Sequence, residues 1–125
     1  MVETKPRHGY WKIRGLGHFT RATFAAAGVT EYDDTFYTAE TAAQWHESDK
    51  AALNHELANL PFAVIDGQTV CESDAIMRTI ALKWKPCLLG KTPQEKVNTE
   101  MWFSALVKAT ANLRENCYVD GITAE

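Results

Sequence analysis

The order strand, helix, strand between residues 8 and 37 restricts the fold of this chain more than any other feature. His8 to Arg14 carries Tyr10, Trp11 and Ile13 at strand-like density, and Gly15 and Gly17 close it. A helix is predicted from His18 to Ala27, where Phe19, Ala22, Thr23 and Ala26 recur three to four residues apart and Gly28 ends the run. Glu31 to Tyr37 reads as a second strand through Tyr32, Phe36 and Tyr37. Two strands joined by a helix form a parallel pair with a right-handed crossover, and the rest of the chain must fit a sheet begun this way.

The next stretch, Thr41 to Leu57, is polar and weakly helical. Phe62 to Ile65 and Thr69 to Cys71 flank Asp66-Gly67, a strong hairpin turn signal. Ser73 is placed to cap a helix whose Ile76, Ile80 and Trp84 share one face and which Pro86 stops. Thr92 caps a long helix with Pro93 at its first position and Val97, Met101, Ala105, Ala109 and Leu113 along one side. The expected fold is a small α/β domain: a mixed four-stranded sheet with helices on both faces, followed by the long helix. At 125 residues the chain suits one compact domain.

Composition removes several function classes. The net charge is −3 and no Lys/Arg run forms, which speaks against nucleic acid as a partner. No stretch approaches the roughly 18 apolar residues of a membrane span, and Met1 to Gly9 lacks the apolar segment of a secretory signal. Cys71, Cys87 and Cys117 form an odd, widely spaced set, as expected of reduced thiols in the cytosol. His8, His18, His46 and His55 stand at no zinc-ligand spacing, and Gly15-Leu16-Gly17 lacks the rest of a dinucleotide fingerprint. No cysteine opens the first helix, which argues against thiol-disulfide redox chemistry. Periodicity alone assigns no function.

Three local signatures do. Gly9-Tyr10-Trp11-Lys12-Ile13-Arg14-Gly15-Leu16, Asn59-Leu60-Pro61-Phe62 and Glu72-Ser73-Asp74-Ala75-Ile76 stand in an order and spacing that resembles the cytosolic glutathione transferases, the first looking like the mu class. Similarity continues through Leu89-Gly90-Lys91-Thr92 and Glu95-Lys96 to Cys117-Tyr118. The resemblance implies a thioredoxin-like βαβ-α-ββα domain over residues 1–86 that binds glutathione, and the start of an all-helical second domain over residues 92–125. It implies that Tyr10 donates a hydrogen bond to the glutathione sulfur and so favours thiolate over thiol. Pro61 resembles the family's cis-proline, which lets the main chain of Leu60 pair with the cysteinyl unit as an added strand does; Asn59 belongs to the same subsite. Ser73, at a helix start, suits the γ-glutamyl carboxylate, and Glu72 the amino group beside it. Trp45 and Lys50 match residues that hold the glycyl carboxylate, Trp11 and Leu16 line the site, and Tyr118 matches a tyrosine of the second-substrate pocket. The implied partners are glutathione as co-substrate, an electrophilic small molecule and a second copy of the chain in a cytoplasmic homodimer, with no cofactor beyond glutathione.

The sequence departs from that pattern in places. The Tyr37-to-Trp45 connection is shorter than in the mu class, the spacing around Lys50 is one residue longer, and Ala42 or Ala43 stands near the place of a mu arginine. Lys108 falls where the family supplies an aspartate to the partner's γ-glutamyl amino group, with the substitute left open between Glu100 and Glu115. The exact class stays open, a sigma-like relative included, and the chain is expected to be a fragment or a short form. Two other functions compete: a non-catalytic dimerisation or scaffold module, and a glutathione-dependent isomerase that uses the same thiolate.

Overall fold

The computed structural model describes residues 4–118, the last of them through its backbone alone. The chain divides between Leu88 and Leu89 into two compact units. In the first, strands β1 (Arg7–Trp11), β2 (Asp33–Tyr37), β3 (Phe62–Ile65) and β4 (Gln68–Cys71) form one sheet in the order β2-β1-β3-β4. β1 runs parallel to β2 and antiparallel to β3, and β3 runs antiparallel to β4. Helices α1 (Gly15–Ala27) and α4 (Ser73–Trp84) pack side by side. Their buried Phe24, Ile76 and Ile80 meet Ala63 and Ile65 of β3 in one core. A second core joins Tyr10, Tyr37, Trp45, Leu60, Phe62 and Cys71. This is the thioredoxin-like arrangement expected from the sequence.

Local chemistry sets the boundaries. β1 stops at Trp11, three residues before the expected end: Lys12 N–H still makes a ladder bond to the Tyr37 carbonyl (2.7 Å), but Ile13 N–H folds back to the Trp11 carbonyl (2.8 Å). Gly15, with φ +40°, then opens α1 earlier than the predicted His18. Gly28 ends α1 in the left-handed region, and the amides of Gly28 and Val29 close on the carbonyls of Ala25 and Phe24. The buried face of α1 is Gly17, Thr20 and Phe24, while Phe19, one of the residues whose spacing predicts the helix, is exposed. The hairpin turns on Asp66 and Gly67, both at positive φ, the pair a two-residue type I′ turn requires.

Residues 42–52 are helical but irregular. Single α turns α2 (Ala42–Gln44) and α3 (Lys50–Ala52) flank a π turn, Trp45–Asp49. At α4 the expected capping residue shifts by one: Glu72 occupies the cap position at φ +68°, and Ser73 is the first helical residue.

The second unit carries α5 (Pro93–Tyr118). Its start is a reciprocal capping box: Thr92 Oγ1 accepts the Glu95 N–H (3.2 Å), and the Glu95 carboxylate accepts the N–H groups of Lys91 (2.7 Å) and Thr92 (3.0 Å). Val97, Met101 and Leu113, part of the apolar stripe read from the sequence, are exposed, as is Trp102.

Candidate functional site

Tyr10 sits near the C-terminal end of β1, 7% exposed, with the first turn of α1 wrapped around its ring. A Cβ on Gly15 would stand 2.7 Å from the phenol oxygen, and one on Gly17 2.4 Å from Cδ1. Both positions therefore exclude a side chain, and the backbone comes close enough for Leu16 N–H to donate to Tyr10 Oη at 3.2 Å. A phenol oxygen that accepts from an amide keeps its own proton to give. The geometry leaves Tyr10 as a hydrogen-bond donor in front of a helix N-terminus, where partial positive charge favours an anion.

The remaining candidates follow from the register. Gly9 pairs with Phe62, and Phe62 with Cys71. Continuing each ladder by one residue sets Tyr10, Pro61 and Glu72 in a row across one end of the sheet. The Leu60–Pro61 peptide bond is cis. Leu60 N–H donates to Asn59 Oδ1 at 2.9 Å, and Asn59 is exposed. Glu72 is exposed, and the amides of residues 73–75 begin α4 without helical acceptors.

Trp45, 2% exposed, is a core ring: it stacks on Phe62 (5.8 Å between centroids, 7° between planes) and tilts against Tyr37 (5.4 Å). Trp11 lies edge-on to Tyr37 and tilted to His46. Tyr10, Trp45 and Leu60 share one cluster, with Trp11 and Leu16 packed against it. Lys50 is exposed at the start of α3, outside that cluster. The side chain of Tyr118 lies outside the described residues.

Asp49 ties the irregular helical segment to the sheet, a role the sequence did not reveal. Its carboxylate accepts from Tyr37 Oη (2.8 Å) and Gln44 Nε2 (3.0 Å), and shares the single Ser48 hydroxyl proton (3.0 Å) with the Gln44 carbonyl (2.9 Å). The Tyr37 bond, helped by those of Ser48 and Gln44, holds the Asp49 carboxyl below its ordinary range despite some desolvation. Burial, and then the bond to Asp49, push the Tyr37 phenol well above its ordinary value. Gly15 and Gly17 were visible in the sequence only as strand closers; a glycine on each side of Leu16, following a strand that carries Tyr10, is the signal for close backbone approach. Among the described residues no group of three or more His, Cys, Asp or Glu side chains is placed to hold a metal, and no helix is long and apolar enough to cross a membrane. Cys71 is a buried free thiol, and Cys87 and Cys117 are exposed ones.

The chain is similar to proteins of known family. The family model described as "Glutathione S-transferase, N-terminal domain" matches residues 6–81. Glutathione S-transferase Mu 4 of Mus musculus is 32% identical over 115 residues, covering 88% of this chain and 51% of the mouse protein. The class-mu 26 kDa isozyme 51 of Fasciola hepatica is 34% identical over 110 residues, covering 88% of this chain and 49% of its own. Among solved structures, a major nematode C. elegans specific GST superposes with a TM-score of 0.73 at 30% identity, over 91% of this chain and 52% of that one. The glutathione S-transferase from Ascaris lumbricoides gives 0.74 at 28% identity, over 93% and 52%. The chain thus spans about half the length of the relatives it matches. It belongs to the glutathione S-transferase family, through that family's N-terminal domain.

Proposed function

We propose that this chain binds glutathione, stabilises its thiol as thiolate and presents it to electrophilic small molecules for conjugation. The observation that carries the reading is the Tyr10 hydroxyl, which takes the Leu16 amide and keeps a proton to donate at the N-terminus of α1. A thiol with a pKa near 8.5 is only a few per cent ionised at pH 7, and lowering it by about two units takes roughly 2.7 kcal/mol of preferential interaction with the thiolate. A hydrogen bond to a charged acceptor together with a helix N-terminus supplies energy of that order.

In this reading residues 1–86 form the glutathione-binding domain and residues 92–125 begin a helical one. The glutathione backbone lies along the row Tyr10, Pro61, Glu72. Its cysteinyl unit pairs with the Leu60 main chain, taking over the N–H that Asn59 holds. Its γ-glutamyl carboxylate meets the amides at the start of α4 and the Ser73 hydroxyl, with Glu72 toward the amino group. Trp45 and Lys50 serve the glycyl carboxylate, and Trp11 and Leu16 line the sulfur subsite. Glutathione is a co-substrate, the protein acts in the cytoplasm, and the working form is a homodimer.

Calorimetric titration of the chain with glutathione, with a conjugation assay on the same sample, tests this. Binding with turnover is the expected result. Ser73→Ala is expected to weaken binding about ten- to a hundredfold, the loss of one hydrogen bond to a charged group. A folded chain that binds no glutathione but does bind a protein partner overturns the reading in favour of a scaffold.

A further inference from the structure

The sheet face that bears Tyr10 also bears His8, two residues earlier on β1. His8 is fully buried, and its ring bridges two elements. Nδ1 lies 2.8 Å from Asp34 Oδ1 on β2, and Nε2 lies 2.6 Å from Thr20 Oγ1 on α1. Thr20 Oγ1 is also 2.8 Å from the carbonyl oxygen of Gly17. The Gly17 carbonyl oxygen is an acceptor, and Thr20 Oγ1 stands between it and His8 Nε2, within hydrogen-bond distance of both. The Asp34 carboxylate is likewise an acceptor, gripped by Arg21 through Nε (2.7 Å) and Nη2 (3.2 Å), so His8 Nδ1–H donates to it. Burial alone would raise the Asp34 carboxyl, but the bonds from His8 and Arg21 outweigh it and hold the group below its ordinary range.

Both ring nitrogens therefore have a partner, and Thr20 Oγ1 links His8 to Gly17. Gly17 is the residue whose Cα lies against the Tyr10 ring. Burying these polar groups is costly unless every partner is present, and no buried side-chain nitrogen or oxygen among the described residues lacks one. An apolar residue at position 8 would fill the same space without fixing the Gly17 carbonyl.

We propose that His8, acting through Thr20 and Gly17, is a positioning residue that sets the first turn of α1 against Tyr10 and so fixes the hydroxyl at the sulfur subsite. The proposal rests on the glutathione-activating role given to Tyr10. Because His8→Leu also strips Asp34 of a partner, the test uses Thr20→Val, close to threonine in volume, together with Thr20→Ala, and Thr20→Ser as the conservative rescue. Two quantities are read: exchange of the Leu16 amide proton without glutathione, by nuclear magnetic resonance, and the ultraviolet absorbance of bound glutathione as thiolate at neutral pH.

Loss of one anchoring hydrogen bond predicts Leu16 exchange about tenfold faster in the Val and Ala variants, with Ala63 and Val64 of β3 unchanged. The thiolate fraction should fall in the same two variants, and Thr20→Ser should keep both values near those of the parent. Unchanged Leu16 exchange in either folded variant overturns the proposal, and so does faster exchange with an unchanged thiolate fraction. If the parent chain binds no glutathione, the function assigned to Tyr10 fails, while Leu16 exchange still decides whether Thr20 holds the turn.

Discussion

A methyl group on Gly17 would stand 2.4 Å from Tyr10 Cδ1 and 2.8 Å from its Cβ, closer than carbon atoms approach. Gly17→Ala must therefore push the ring or the helix aside. The expected cost is about 1–3 kcal/mol in stability, as for overpacking elsewhere. It should come with loss of the Leu16 bond to Tyr10 Oη, and denaturant titration with Leu16 amide exchange measures both. Full stability in Gly17→Ala would mean that the turn has slack. Tyr10 and Pro61 were legible because their neighbours form short, ordered signatures, whereas the contact of Gly15 and Gly17 with the ring was not. A glycine announces that a side chain is missing, not what fills its place. His8 looked equally bland: its spacing excludes a metal site, but its partners Thr20 and Asp34 are 12 and 26 residues away and meet it only in the fold.

Element boundaries were read well where a side chain near the break decides them. Gly28, Asp66-Gly67, Pro86 and Thr92-Pro93 each end or begin an element as the sequence suggested. They were missed where no local side chain decides them, as when the Ile13 amide folds back to the Trp11 carbonyl and stops β1. The π turn at Trp45–Asp49 belongs to the same class, since it places Trp45 on Phe62 and Asp49 under Tyr37. Asp49 has a lowered carboxyl pKa, chiefly through the Tyr37 bond, so its contribution is present above the ordinary carboxylate value near 3.9 and is lost as pH falls through the depressed one. The stability gap between the parent and Asp49→Asn is thus expected to be less than about 1 kcal/mol at neutral pH, given its contact with solvent, and to shrink as pH falls below the ordinary carboxylate value. Denaturation midpoints at several pH values measure it; a gap independent of pH would mean that the carboxylate charge is not what pins the segment. In α5, Thr92→Ala is expected to speed amide exchange of Glu95 severalfold, since it removes one half of the capping box.

The chain spans about half the length of its relatives, and every residue assigned to glutathione lies in the first of its two units. What the second unit adds is open to a direct test at Lys108, exposed on α5. If a partner subunit brings position 108 to the γ-glutamyl ammonium, Lys108→Asp should tighten glutathione binding about fivefold, the scale of an exposed charge pair. Calorimetry that finds the same affinity would remove the partner from the site.

The central claim is that Tyr10 ionises the bound thiol, and comparing the parent with Tyr10→Phe tests it most directly. The thiolate absorbance of bound glutathione is to be followed as a function of pH. The parent should show thiolate at neutral pH. The Phe variant should bind glutathione within about twofold as well, form thiolate only at higher pH, and conjugate about 10- to 100-fold more slowly near pH 7, the worth of one hydrogen bond to a charged acceptor. Coincident titration curves and equal rates in the two proteins would contradict the account.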